Sequence, residues 1–212
     1  GKPVAIPGSN IPLSAAGVLI LWLGWFGFNG GSVLSADPAL TSLTLVTTCL
    51  AAAAGGIGAA LFSGFLYKNL DLTMFMNGVL GGLVGITAGA DQMLPGSAIL
   101  IGLIAGVIVV LSVALLDKCK LDDPVGAIPV HLFCGIWGTL AVGIVGELAG
   151  LKQFMVQLAC VGITGLFCMI GATLITLLVK KITGLRVDEQ EEAEGLDIAE
   201  HGTGAYGDFS IR

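Results

Sequence analysis

His131 is the one imidazole inside a long apolar run of this 212-residue sequence. An ionisable side chain at that depth in lipid is costly, and it is retained mainly where it lines a cavity or relays protons. At about 100° per residue, a regular helix would place Ala127, Gly135, Gly138 and Val142 on the same face as His131. This small-residue face fits either the wall of a narrow pore or a contact with a neighbouring helix, in which His131 would be neutral and hydrogen-bonded.

A second group of chemically capable side chains lies in the stretch GWFGFNGGS, from Gly24 to Ser32. On a helical projection Leu21, Trp25, Phe28 and Ser32 form one stripe that ends in a hydroxyl. An aromatic ring attracts an ammonium-type cation by about 0.5–2 kcal/mol, and the hydroxyl oxygen can accept a hydrogen bond from it. The stripe is therefore a candidate site for a small cation; the alternative is an interfacial aromatic belt without a ligand.

Two acidic residues, Asp122 and Asp123, precede Pro124 at roughly 12 Å from His131 along a helix. Negative charge is favourable at a helix N-terminus, so we predict that they cap the helix that carries His131; cation recruitment is the alternative. Pro129 has no N–H to donate to the carbonyl of Val125, and we expect it to bend this helix.

The composition is that of a membrane protein, because 55% of the residues are hydrophobic and only 11% are charged, against roughly 25% charged in soluble domains. The net charge of −6 offers no basic face to nucleic acid. The five cysteines show no CxxC spacing and no histidine cluster, so we predict neither a disulfide framework, nor a metal site, nor another cofactor.

Apolar runs of about 20 residues, the length that crosses a bilayer as a helix, predict six membrane spans. They run near Ile11–Phe28, Thr41–Tyr67, Leu72–Gly89, Pro95–Leu116, Pro124–Leu148 and Phe154–Val179. Glycines recur within them at spacings that favour close helix packing, as at Gly55, Gly56, Gly58, Gly81, Gly85, Gly135, Gly138, Gly143 and Gly146.

Lysine and arginine predict the orientation, because short cytoplasmic loops retain them. One side carries Lys2, Lys68, Lys118, Lys120, Lys180, Lys181 and Arg186, and the other carries Lys152. Both ends of the chain are therefore expected in the cytoplasm. We predict a membrane domain over residues 1–179 and an acidic cytoplasmic tail over residues 180–212, solvated and without a core of its own. The start at Gly1 without an initiator Met suggests part of a longer protein.

Four long strings together resemble the ammonium transporter/Rhesus channel family. They are GWFGFNGGS at Gly24–Ser32, NGVLGGLVGITAGAD at Asn77–Asp91, DDPVGAIPVHLFCGIWGTLAVG at Asp122–Gly143 and GLRVDEQEEAEGLDIAEHGTGAY at Gly184–Tyr206. The resemblance implies an all-α membrane protein whose six transmembrane helices form the second half, the sixth to eleventh spans, of an eleven-span inverted-repeat fold.

By motif position, the resemblance implies that Phe28 belongs to the inner gate below the extracellular vestibule and Ser32 to the ammonium recruitment site. It places the vestibule tryptophan, the outer gating phenylalanine and the first pore histidine in the other half of the fold. His131 resembles the second of two pore histidines. The implied mechanism is capture of NH4+, deprotonation and passage of NH3 through an apolar pore. The resemblance further implies a homotrimer, an N-terminal half that completes the pore, and a PII-type signalling protein at the tail.

Three alternatives belong to other classes. An ammonium sensor without net transport would share every residue discussed. An aquaporin-like channel would need Asn-Pro-Ala strings, and a rhomboid-type protease would need a Gly-x-Ser-Gly serine; the sequence contains neither, since Leu61-Phe62 precedes Ser63-Gly64. We therefore expect a transport protein of the cell membrane and not an enzyme.

Overall fold

The computed structural model describes Gly8 and residues 10–204, and this part of the chain is helical without strands. Its helices are α1 Ile11–Ser32, α2 Pro38–Tyr67, α3 Leu72–Thr87, α4 Pro95–Cys119, a π-helix Ile128–Phe133, α5 Cys134–Val145, α6 Leu151–Ile182, α7 Glu189–Glu194 and α8 Leu196–His201. Lys2 and the end of the acidic tail, from residue 205 on, lie outside the described residues.

Short polar segments set the helix boundaries. The Asn10 side chain accepts the backbone N–H of Leu13, and Asp37 and Asp71 cap α2 and α3 in the same way. These side chains satisfy N–H groups that have no partner within the first turn. Lys68 and Lys120 end α2 and α4 in the left-handed conformation, with φ of 64° and 57°.

The core is built from α2, α3 and α4, which approach one another at glycines. A Cβ added at Gly82 of α3 or Gly102 of α4 would collide with the backbone of Ala51 on α2, and one at Gly106 would collide with Gly55. Helices in lipid gain little from hydrophobic contact and associate through such close packing. The glycine spacings thus correctly predicted helix contacts.

Five helices are long and apolar enough to cross a membrane, namely α1, α2, α4, the continuous segment Ile128–Val145, and α6. The third apolar run forms α3, which has 16 residues and is shorter than a typical span. Eight of those residues are buried, so α3 is an interior helix whose neighbours shield it. The all-α membrane fold is confirmed, and six apolar helices stand where six runs were predicted.

The fifth run differs from the prediction in its extent. The helix begins at Ile128 and ends at Val145, whereas we expected Pro124–Leu148. Residues 124–126 form a turn with Gly126 at φ +75°, a backbone conformation that favours glycine.

The described residues divide into two units at Val161, and each is considered by itself. In the second unit, the part of α6 after Gly162 exposes its large apolar side chains. The acidic tail forms two short helices, α7 and α8, as far as it is described. Neither helix buries a residue, in agreement with a tail that has no core of its own.

Candidate functional site

The aromatic stripe lies on α1, and its residues near the C-terminus of that helix are exposed. Phe28 is 59% exposed, and Ser32 is exposed one turn later. The Ser32 hydroxyl donates to the carbonyl of Phe28 at 2.7 Å, which commits its proton and leaves its oxygen lone pairs able to accept a hydrogen bond. The rings of Trp25 and Phe28 are 5.5 Å apart and tilted by 47°, a favourable aromatic pair. An open aromatic face thus adjoins a free acceptor.

Trp25 is partly buried and also packs against the core. Its side chain packs against the buried cluster of Ala52, Val79 and Leu83, and its Nε1–H donates to the hydroxyl of Thr87 at 2.9 Å. This bond could not be predicted from a local pattern, because it joins α1 to α3 across 62 residues. A lone hydroxyl at the end of the third apolar run was the only available signal.

Asn29 lies between the two open residues in sequence but points into the protein. Its side chain is 3% exposed, and its Nδ2 donates to the hydroxyl of Thr48 on α2 at 3.0 Å. Thr48 in turn donates to the carbonyl of Thr44 at 2.6 Å. The buried amide ties α1 to α2 directly behind the stripe, a role that the sequence analysis missed.

His131 lies in the π-helix Ile128–Phe133 and is exposed. Its imidazole forms no hydrogen bond to any side chain or backbone group in the described part of the chain. The alternative of a neutral histidine hydrogen-bonded to a neighbouring helix is therefore not realised among the described residues of this chain. A polar ring is left open in the middle of an otherwise apolar segment.

The small-residue face predicted around His131 is divided. Gly138 and Val142 are buried, and Gly138 packs on the backbone of Gly85 in α3. His131 instead faces outward. Here the N–H of Cys134 bonds to the carbonyl of Pro129. Such a π-turn contains more residues than an α-turn. It thereby rotates His131 away from the face that a regular helix would give it.

Asp123 caps the helix that carries His131, as predicted. One carboxylate oxygen accepts the N–H of Ala127 at 2.9 Å, and the other accepts the N–H of Ile128 at 2.8 Å. Asp122 is exposed and has no side-chain hydrogen bond among the described residues, so its expected part in the cap is not realised.

The predicted cause of a bend at Pro129, an unpaired carbonyl of Val125 inside the helix, does not occur. The helix starts at Ile128, so Val125 lies outside it and Pro129 falls in the first turn. A proline is tolerated there because first-turn N–H groups have no helical partner. The N–H of Val130 already bonds the carbonyl of Gly126 at 3.1 Å.

The two groups of candidate residues occupy separate elements, and the structure records no hydrogen bond or ring contact between the α1 stripe and His131. Within residues 10–204, no cluster of three or more His, Cys, Asp or Glu side chains could hold a metal ion. The arrangement offers an acceptor beside aromatic faces on one helix and a titratable ring on another.

Known proteins resemble this chain over nearly its whole length. The Ammonium Transporter Family matches residues 1–206. Ammonium transporter Amt2 of Archaeoglobus fulgidus is 40% identical over 99% of this chain and 48% of its own length. Ammonium transporter Amt2 of Methanocaldococcus jannaschii is 40% identical over 100% of this chain and 50% of its own.

Solved structures share the fold. A sensor Amt protein superposes with a TM-score of 0.86 at 36% identity, over 91% of this chain and 49% of that one. Mep2 of Candida albicans superposes with a TM-score of 0.83 at 25% identity, over 90% and 46%. The chain thus spans about half the length of the curated relatives it matches. By the extent of the family match and the shared fold, this chain belongs to the Ammonium Transporter Family.

Proposed function

We propose that this chain forms one half of an ammonium transporter, in which NH4+ is captured at the α1 stripe and NH3 passes His131 along an apolar route. The observation that carries the proposal is the imidazole of His131, exposed and without a hydrogen-bond partner in the described chain, on an apolar spanning segment. An open ionisable group at such a position is retained mainly where it lines a pathway.

Capture uses the chemistry of the stripe. The open face of Phe28 and the ring of Trp25 attract a cation through their negative π-faces. The Ser32 oxygen, whose proton is committed to the Phe28 carbonyl, can accept one N–H of NH4+. The combination favours an ion that both carries charge and donates hydrogen bonds.

Passage beyond the stripe requires that the charge be lost, because a bare cation in the apolar interior is costly. Ammonium can give up a proton, which either stays behind in the solvent on the side of entry or follows by way of the imidazole, and can continue as NH3, which can hydrogen-bond to the open edge of His131. A potassium ion has no proton to release, so the same route excludes it.

The second half of the pathway is expected from the part of the relatives that this sequence does not match. We propose that it covers the open sides of Phe28 and His131, and that the assembled protein is a homotrimer in the cell membrane. The lysines at 68, 118, 120, 180 and 181 favour cytoplasmic ends for this chain.

The tail is proposed as the docking segment for a PII-type signalling protein. In support, Asp188 caps α7 by accepting the N–H of Glu191 at 2.8 Å, and Arg186 forms an ion pair with Glu192. These contacts give the exposed acidic segment a defined shape that a partner could recognise. Deleting the chain after Gly184 should then abolish PII binding.

The proposal is tested with His131→Ala in the full-length transporter, with His201→Ala in the tail as the matched control. Methylammonium uptake and ammonia-driven pH change are measured in vesicles without a PII protein. We expect His131→Ala to lower the flux or its selectivity and His201→Ala to leave both unchanged. Unchanged flux and selectivity in His131→Ala would remove His131 from the mechanism.

A sensor that binds ammonium without net transport is the second candidate. Its support is the likeness to a solved protein described as a sensor. The two functions separate when binding and flux are measured on the same vesicles. A sensor would bind ammonium in a manner sensitive to Phe28→Ala and Ser32→Ala, yet show no uptake above protein-free vesicles.

A further inference from the structure

We infer that Thr87 is a positioning residue for the ammonium capture site: through the indole of Trp25 it sets the orientation of the aromatic pair that Trp25 forms with Phe28. The inference rests on the proposed function and deepens it. Thr87 lies on α3, and its one side-chain hydrogen bond to α1 among the described residues is the bond from Trp25.

The orientation of the Thr87 hydroxyl is set by its own helix. It donates to the carbonyl of Leu83 at 2.7 Å, a bond within its own helix. Because a hydroxyl has a single proton, the oxygen must present a lone pair to any other partner. The Nε1–H of Trp25 meets that lone pair at 2.9 Å. The helix therefore orients the acceptor, and the acceptor orients the indole.

The indole in turn supports Phe28. Its centroid lies 5.5 Å from that of Phe28 with a 47° tilt, and the Trp25 side chain also packs against the buried cluster of Ala52, Val79 and Leu83. Tilted aromatic pairs owe part of their energy to this relative orientation. Without an acceptor, the partly buried N–H would have to find another partner or stay unsatisfied, which favours rotation of the ring. Rotation would change the face that Phe28 shares with Trp25.

The test uses the full-length transporter with Thr87→Val, which keeps the shape of threonine but cannot accept the indole proton, and with Thr87→Ser, which can. Thr173→Val is the matched control, because Thr173 donates to the carbonyl of Met169 at 2.7 Å but has no indole partner. Each variant is made in the natural background and with Trp25→Phe. Methylammonium uptake and tryptophan fluorescence are recorded for all of them.

We expect Thr87→Val to raise the half-saturating methylammonium concentration about fivefold, which corresponds to about 1 kcal/mol of capture free energy lost when the aromatic pair is no longer held in its orientation. The maximal rate should change less, because the stripe precedes conduction. Thr87→Ser should restore the natural value, and Thr173→Val should not alter it. In the Trp25→Phe background, Thr87→Val should have no further effect, since a residue that acts only through Trp25 cannot act without it.

Fluorescence keeps this inference separate from the proposed function. Thr87→Val should shift the emission of the natural protein and leave that of Trp25→Phe unshifted, whether or not the protein transports. If no uptake occurs at all, the proposed transport fails while the emission cycle still decides the role of Thr87. If Thr87→Val does not fold, Thr87→Ala removes the same acceptor. An equal effect of the Thr87 substitution in both backgrounds, or no effect in the natural one, would overturn the inference.

Discussion

Gly138 of α5 packs against the backbone of Gly85 of α3, and the contact has two unequal sides. A Cβ at Gly138 would collide with the carbonyl, C and Cα of Gly85. A Cβ at Gly85 would instead point toward Ala105 and Ile101, at 3.4 and 3.5 Å, which is ordinary van der Waals separation. One glycine therefore permits the helix contact, and the other occupies a position with room for a methyl group.

This asymmetry predicts opposite outcomes for two similar substitutions. Gly138→Ala should destabilise the protein by about 1–3 kcal/mol, because α5 and α3 must separate to accept the methyl group. Gly85→Ala should be neutral or slightly stabilising, since alanine favours a helix over glycine by about 1 kcal/mol. Thermal unfolding in detergent measures both. Equal loss of stability in the two variants would contradict the predicted asymmetry.

The buried amide of Asn29 predicts a second stability effect. Asn29→Leu removes the bond to Thr48 and leaves the buried Thr48 hydroxyl without its donor, so we expect a loss of about 1–3 kcal/mol. Thr48→Val should also destabilise, and the double variant should lose less than the sum, because each single change leaves one partner unsatisfied. Ser42→Ala is the control, since exposed Ser42 bonds only within its own helix. Strict additivity would show that the Asn29–Thr48 bond contributes nothing.

The sequence alone predicted where the helices form better than which of their residues contact one another. Apolar runs predicted where helices form, because a spanning helix must satisfy its backbone internally and show a continuous apolar length. The predicted stripe on α1 is exposed only in part, since Leu21, Phe28 and Ser32 are exposed whereas Trp25 is partly buried against the core.

What could not be predicted depends on contacts between distant segments or on local departure from α-geometry. The bond from Trp25 to Thr87 requires α1 and α3 to meet, which no periodicity encodes. The π-helix around His131 shifts the register that a 100° projection assumes, so the imidazole and Gly138 part onto different faces. In both cases the residues can be read from the sequence, whereas the contact or the backbone geometry that places them cannot.

Asp71 gives the N-terminus of α3 a stability that depends on pH. Partial burial raises the pKa of its carboxyl group, but hydrogen bonds from the Thr73 hydroxyl and from the N–H groups of Met74 and Thr73 together leave that pKa below its usual value of 3.8. A carboxyl group whose pKa is lowered on folding stabilises the protein above its unfolded pKa. That contribution is lost as the pH falls through the folded value.

We therefore expect Asp71→Ala to cost about 1 kcal/mol at neutral pH, the usual value of an N-cap. The difference from the natural protein should shrink as the pH falls from 3.8 through the lower folded pKa. Asp71→Asn, which keeps an acceptor oxygen but cannot titrate, should show no such narrowing against Asp71→Ala. Unfolding midpoints across this pH range provide the measurement. A cost for Asp71→Ala that stays constant with pH would contradict the linkage.

Asp123 links the N-terminus of the π-helix to the placement of His131, and its neighbour provides the control. Its carboxylate accepts the N–H groups of both Ala127 and Ile128, whereas Asp122 makes no such bond among the described residues. Asp123→Ala should therefore destabilise the protein by about 1–2 kcal/mol, and the frayed first turn should leave His131 less well positioned. Methylammonium flux in the full-length protein should fall with it.

Asp122→Ala removes the same negative charge one residue earlier and should leave the unfolding midpoint unchanged. Comparing the two variants separates the hydrogen bonds of the cap from the general electrostatic effect of an acidic loop. If both variants lost stability equally, the loss would come from negative charge near the helix N-terminus and not from the hydrogen bonds of the cap. If Asp123→Ala alone lost stability while flux per folded protein stayed constant, the cap would support the fold without positioning His131.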